Sequence, residues 1–199
     1  MKRIILASNN PHKIKECQAL LAPLALQLIP QNQQHIPPAD EPYSTFIENA
    51  LHKARQASRI TGLPALSDDS GLCVRALHGL PGIHSARFAG EPPSDAANNQ
   101  LLIEKMRGVT KRDGYFYCML TLVRYPDDPA PVIAEGIWFG QIATVLQGDK
   151  GFGYDPLFYL PHLKLTAAQL DPTNKNRLSH RAQAFKKLLA QSHLFLPVK

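Results

Sequence analysis

The segment Arg3-Ile4-Ile5-Leu6-Ala7-Ser8-Asn9-Asn10-Pro11-His12-Lys13 opens the chain with an apolar run, a polar turn and a helix start. Arg3 to Ala7 reads as a buried strand, and beyond the turn Ile14, Cys17, Leu20 and Leu21 recur at the spacing of one helix face. Strand, loop and helix in that order make the first unit of an α/β fold. Pro11 suits a first helical turn, and the loop before it would leave backbone N–H groups directed at whatever lies above the strand. Asn10 and Lys13 put an amide and an ammonium at the same junction, where phosphate oxygens could be held; the alternative is a polar helix start with no ligand. The sequence contains no Walker A pattern, so any phosphate site here is of another kind.

Further along, Thr45-Phe46-Ile47-Glu48 has the form of a capping box, and Ile47, Ala50, Leu51, Ala54 and Ala57 carry one helix face to about Ile60. Residues 30 to 43, rich in Pro, Gln and His, read as a connecting loop that carries Asp40 and Glu41. Gly62-Leu63-Pro64 ends the helix. Ser94 is a natural N-cap for a helix to about Arg107, and Ser179 for an amphipathic last helix through Ala182, Phe185, Leu188 and Leu189. Tyr115 to Tyr125 and Val132 to Val145 are the longest β-like stretches, joined by the turn Asp127-Asp128-Pro129 as a hairpin. Helices interleave with strands while the long strands form a hairpin, so the sheet is expected to be mixed.

Between the second helix and the hairpin lies Leu66-Ser67-Asp68-Asp69-Ser70-Gly71-Leu72. Its expected form is a short strand from Ala65 to Ser67, a bend permitted by Gly71, and a second strand from Leu72 to Leu77. Two adjacent carboxylates at a strand end raise each other's pKa unless a cation neutralises them, and a divalent ion with oxygen ligands does so. An ordinary turn of Asp, Ser and Gly is the competing reading.

At 199 residues with 44% hydrophobic content, the chain is long enough to bury a substantial core, as one compact domain or two closely joined lobes. The apolar run at the N-terminus is too short for a signal peptide, and no stretch reaches membrane-spanning length, so a soluble cytoplasmic protein is expected. Cys17, Cys73 and Cys118 are odd in number and far apart, which points to reduced, buried thiols. The formal charge of +6 suits an anionic partner. Basic residues are scattered without a run or interleaved aromatics, which favours a local anion pocket over a nucleic-acid track.

A second polar constellation lies toward the C-terminus. Gly151-Phe152-Gly153-Tyr154-Asp155-Pro156 combines a ring, a flexible backbone and a carboxylate, the parts needed to stack a base and accept from its edge, although it could be a simple bend. Lys175, His180 and Arg181 add three donors within seven residues near a helix start, suited to a carbonyl or a phosphate unless they are merely solvated. There is no zinc-protease or nucleophile-elbow pattern.

Taken in order, Ser8 to Lys13, Thr45 to Ala50, Ser67 to Leu72, Pro81-Gly82 with Ser85-Ala86-Arg87, Gly151 to Pro156 and Ser179-His180-Arg181 resemble the inosine triphosphate pyrophosphatase family, also called HAM1-like, over nearly the whole chain. The resemblance implies an elongated mixed β-sheet flanked by helices, residues 1–199 forming one two-lobed domain with an active-site cleft between the lobes, usually as a homodimer. It implies Mg2+-dependent hydrolysis of ITP, dITP and XTP to the monophosphate and pyrophosphate, and the scattered basic residues and short apolar runs add the expectation of no nucleic-acid or membrane partner. Carried over by position, Ser8, Asn9, Asn10, Pro11, His12 and Lys13 would hold phosphates, and Glu41 and Asp69 would bind Mg2+. Asp69 would also accept a proton, and Ser70 would contact substrate beside the metal. Phe152, Gly153, Tyr154 and Asp155, with Lys175, His180 and Arg181, would enclose the base, the last two donating to a 6-keto oxygen.

Asn9, Pro42-Tyr43, Gln169 and Asn174 depart from the family's usual residues. The second departure adjoins Glu41 and makes Asp40 its substitute, and Asp68 is the alternative to Asp69. A Maf-like pyrophosphatase, a nucleotide-binding regulator without turnover and a nucleic-acid binder are the rival readings.

Overall fold

The computed structural model describes residues 2–22 and 26–196. Strands β1 (Lys2–Leu6), β2 (Leu26–Pro30), β3 (Ala65–Val74), β4 (Asp113–Val123), β5 (Val132–Ile142), β6 (Phe158–Leu160) and β7 (Leu165–Thr166) form a sheet ordered β2-β1-β3-β4-β5-β6-β7. The helices are α1 (Pro11–Leu21), α2 (Phe46–Thr61), α3 (Asp95–Lys105), α4 (Pro172–Leu178) and α5 (His180–Ala190). β1 pairs in parallel with β2 and β3, whereas β5, β6 and β7 pair antiparallel, so the sheet is mixed as expected. Packing divides the chain into two compact units, residues 1–69, 118–136 and 181–199, and residues 70–117 and 137–180.

In the first unit the period-2 alternation of the strands sorts side chains to two helical layers. Ile4, Leu6 and Leu66 pack with Cys17 of α1 and Phe185 and Leu188 of α5. Ile5, Ala7 and Ala65 pack instead with Ala54 and Ala57 of α2. Each helix begins where local chemistry dictates. Asn10 caps α1, its side chain accepting from the backbone of His12 and Lys13 with Pro11 in the first turn, and Thr45 caps α2 through the nitrogen of Glu48. Gly62 ends α2 with φ +67, the left-handed conformation that glycine adopts without strain. The three cysteines are buried and unbridged.

The second unit closes around Leu72, Leu102, Phe116, Trp138, Phe158 and Leu160. Ser94 caps α3 as expected, accepting from the nitrogen of Ala97. The pattern does not announce β2, which ends at Pro30 where the expected loop begins, nor the short β7, nor α4. Asp171 caps α4 and Pro172 opens it. Ser179 is the C-cap of α4, its N–H donating to the Lys175 carbonyl.

The main departure concerns Asp68-Asp69. No turn interrupts the segment, and β3 runs unbroken from Ala65 to Val74 through both carboxylates. Gly71 is not there to bend the chain. A Cβ built on it would lie 2.2 Å from the Gly82 carbonyl oxygen and 2.5 Å from Ser85 Oγ, so glycine allows a close backbone approach.

Candidate active site

Because β3 is continuous, its neighbouring aspartates point to opposite faces. Asp68 follows Leu66 toward α1 and α5, where its Oδ1 lies 2.7 Å from Lys13 Nζ and its Oδ2 accepts from Arg181 Nε at 2.7 Å and Cys118 Sγ at 3.3 Å. Arg181 also pairs with Glu16 of α1. Asp69 follows Ala65 and Ser67 toward α2. Ser67 bonds the Ala50 carbonyl there, and Asp69 Oδ1 accepts from Lys53 Nζ at 2.9 Å. The same ammonium donates to Glu41 Oε1 at 2.8 Å and to the Asp68 carbonyl at 3.2 Å.

The two carboxylates differ electrostatically. Burial works to raise the pKa of Asp68, but Arg181 and Lys13 outweigh it and hold the carboxyl well below the ordinary range. Burial pushes Asp69 up, and Lys53 and Lys13 only partly oppose it. Lys53 is itself buried, which lowers its pKa, yet Asp69 and Glu41 together leave it raised. A buried ion pair is expensive to break from one side, because the survivor remains in low dielectric, so the Asp68 cluster, whose cations outweigh burial, holds its members in place.

Among the described residues no group of three acidic, His or Cys side chains forms a ready metal cage. The donor set nevertheless fits Mg2+, which is commonly held by one or two carboxylates, waters and substrate phosphates. Glu41 and Asp69 present oxygens to one cationic nitrogen, and Asp69 Oδ2 is buried with no hydrogen-bond partner. Glu41, rather than its neighbour Asp40, meets Lys53. Its segment is anchored where Tyr43 exchanges two backbone hydrogen bonds with the Asn49 side chain at 3.1 Å each.

Ser8 to Lys13 occupy the β1–α1 junction, where three backbone N–H groups are engaged rather than open as expected. Those of His12 and Lys13 donate to Asn10 Oδ1 at 2.9 and 3.2 Å, and that of Asn10 to Ser8 Oγ at 3.3 Å. The ammonium of Lys13 is turned to Asp68, and Asn9 is exposed between Ser8 and Asn10.

In the second unit, Asp155 is the hub of the Gly-rich loop. Its Oδ2 accepts from Phe152 N at 2.9 Å and from Lys175 Nζ at 2.6 Å, and that ammonium stands 4.7 Å from the centre of the Phe152 ring. Tyr154 turns inward, its hydroxyl donating to the Ser85 carbonyl at 2.9 Å. His180 is buried and stacks on Phe116, the ring centres 4.8 Å apart and 13° from parallel. Ser70 lies on β3 immediately after Asp69. Lys175, Asp155 and Phe152 are therefore brought together as expected. Arg181, expected as a base donor, instead directs its guanidinium to Asp68 and Glu16.

Sequence reasoning passed over Lys53 and Glu16. Each left a faint signal: Lys53 falls on the helical stripe of Ala50, Ala54 and Ala57, and Glu16 one turn beyond Lys13. The departures at Gln169 and Asn174 have local roles. Gln169 Oε1 accepts from Thr166 N at 2.8 Å, and Asn174 Nδ2 donates to Asp171 Oδ2 at 2.6 Å.

A profile of the Ham1 family matches residues 4–191. A dITP/XTP pyrophosphatase of Ralstonia nicotianae is 55% identical over 198 residues, 98% of each chain. One of Aromatoleum aromaticum is 57% identical over 189 residues, 95% of this chain and 96% of the relative. The solved structure of a HAM1 protein from Coxiella burnetii superposes with a TM-score of 0.92 at 45% identity, covering 98% of this chain and all of the other. The chain belongs to the Ham1 family and is an enzyme.

Proposed function

We propose that this enzyme hydrolyses ITP, dITP and XTP to the monophosphate and pyrophosphate with Mg2+, clearing deaminated purines from the free nucleotide pool. The relatives' name, dITP/XTP pyrophosphatase, supports the substrate class. The observation that carries the chemistry is the meeting of Glu41 and Asp69 on Lys53 with one Asp69 oxygen left unpartnered in a buried position.

Glu41 and Asp69 would hold Mg2+, which supplies positive charge to phosphate oxygens. Asp69, its pKa raised by burial, accepts the proton of the water that attacks the α-phosphorus, and the bond to the pyrophosphate oxygen breaks. Lys13 and the Asn10 amide hold the phosphate oxygens, and Lys53 keeps the two carboxylates together before the cation arrives. Ser8, Asn9, Pro11 and His12 shape the phosphate loop, and Ser70 contacts substrate next to Asp69. Asp68, itself held by Arg181, serves the same end by fixing Lys13.

The Gly-rich loop and its neighbours take the purine. Phe152 stacks the base, Asp155 and Lys175 read its edge with the Gly153-Tyr154 backbone, and buried His180 donates to a 6-keto oxygen. The 6-amino group of adenine would leave that donor facing another donor, which a buried site discriminates strongly. A homodimer acting in the cytoplasm, as the family resemblance implies, belongs to the same reading.

Pyrophosphate release from ITP, XTP, ATP, GTP and TTP with Mg2+ tests it. Rates on ITP and XTP at least about 100-fold above that on ATP are expected from such donor matching. Equal rates on all five would contradict it.

A further inference from the structure

We infer that Asp95 and Asn99, one turn apart on α3, are positioning residues that latch the base-reading loop by gripping both sides of its Gly153 residue. The inference rests on the proposed role of Phe152 in stacking the purine. Phe152 lies between Gly151 and Gly153, which have φ +77 and +62, a backbone that no side chain of its own restrains. A ring on such a segment reads a base well only if the flanking backbone is fixed before substrate arrives.

The structure fixes it twice. On one side, Phe152 N donates to Asp155 Oδ2 at 2.9 Å. On the other, Gly153 N donates to Asp95 Oδ2 at 2.7 Å and Gly153 O accepts from Asn99 Nδ2 at 2.8 Å. Asn99 is buried, and its amide nitrogen also donates to the Asp95 carbonyl at 2.7 Å. Turning the amide over would set its oxygen against two carbonyl oxygens, so its orientation is determined by its neighbours. Asp95 is exposed in the first turn of α3, where its charge is favourable with or without the loop, and Ser94 caps the helix independently. A carboxylate that accepts from Gly153 N and an amide that donates to Gly153 O make a two-point clamp on one residue, which helix stability alone does not require.

Asp95→Ala and Asn99→Leu remove one arm each, and Asp95→Asn keeps an acceptor oxygen for Gly153 N. The measurements are kcat and KM for ITP and ATP, with thermal melting as the fold control and Phe152→Ala in parallel. Losing one charge-assisted hydrogen bond should raise KM for ITP about tenfold in Asp95→Ala, with kcat within about threefold and a narrower ITP-to-ATP ratio. Asp95→Asn should restore most of the loss. Because Asp95 is exposed, Asp95→Ala tests the latch even if Asn99→Leu fails to fold. Should Phe152→Ala destroy base discrimination while Asp95→Ala keeps wild-type KM, the latch is wrong and the base-reading loop stands. Should Phe152→Ala leave discrimination intact, the base-reading role falls and the latch with it.

Discussion

Asp68 and Asp69 are consecutive in the chain yet face opposite sides of β3, the first bound to Lys13 and Arg181 and the second to Lys53. One strand thereby divides two jobs. Asp68, paired and acidic, holds Lys13 in place, whereas Asp69 keeps one oxygen without a partner and is raised in pKa, as the proposed roles of cation ligand and proton acceptor require.

Arg181→Met should be among the most destabilising single changes in the first unit. It leaves the fully buried Asp68 without its guanidinium, a class of change that costs about 3–5 kcal/mol. Urea unfolding would show it, and Arg181→Met combined with Asp68→Leu should recover much of the loss. Full stability in the single variant would mean that the pair carries no weight.

Gly151→Ala should impair substrate binding more than the fold. A Cβ there would lie 2.0 Å from Asp155 Oδ2, the atom that organises Phe152 and Lys175, at a backbone with φ +77. The strain is about 1–2 kcal/mol, and most of the effect is expected as a KM for ITP raised roughly tenfold by the displaced carboxylate. An unchanged KM would show that Asp155 is not the organising group.

Acid should loosen the β4–β5 connection through Asp128. Hydrogen bonding from the Arg124 side chain depresses its pKa; burial opposes this, while the backbone N–H groups of Arg124 and Ala130 add to the depression. A folded-state pKa below the unfolded value of about 3.9 gives stability that is complete above that value and is lost as pH falls through the window beneath it. The urea midpoint of wild type should therefore drop below about pH 4, and Asp128→Asn should flatten that limb. A parallel acid limb in both proteins would assign the effect elsewhere.

None of the three cysteines should react in the folded protein. Burial lifts Cys17 to about 12 and raises Cys73 and Cys118, leaving little thiolate at neutral pH. Iodoacetamide at pH 8, read by mass spectrometry, should label them only in denaturant. Rapid labelling of native protein would contradict their burial.

What could be read from the sequence was local. Pro11 after a polar turn, the Thr45–Glu48 box and Ser94 each announce a helix start within four residues, and all three do so in the structure. The unbroken course of β3 was hidden because the reason for Gly71 is the carbonyl of Gly82, a contact made by folding of the segment that follows and not by any local turn pattern. The same holds for Lys53, whose partners Glu41 and Asp69 are separated from it by 12 and 16 residues. The Phe152–Asp155–Lys175 grouping was legible as a set of suitable residues, but the clamp of Asp95 and Asn99 on Gly153 depends on packing that no spacing reveals. Helix α4 could have been found from Asp171-Pro172, an N-cap followed by proline.

The division of labour on β3 is tested most directly by comparing Asp68→Asn with Asp69→Asn for both ITP turnover and urea unfolding. Asp69→Asn should lose at least about a thousandfold in kcat while unfolding at or above the wild-type midpoint, because it removes a proton acceptor and a poorly satisfied buried charge. Asp68→Asn should lower the midpoint markedly, because it strips Arg181 and Lys13 of their counter-charge. If the two variants lose stability and turnover in the same proportion, the aspartates do not have separate roles.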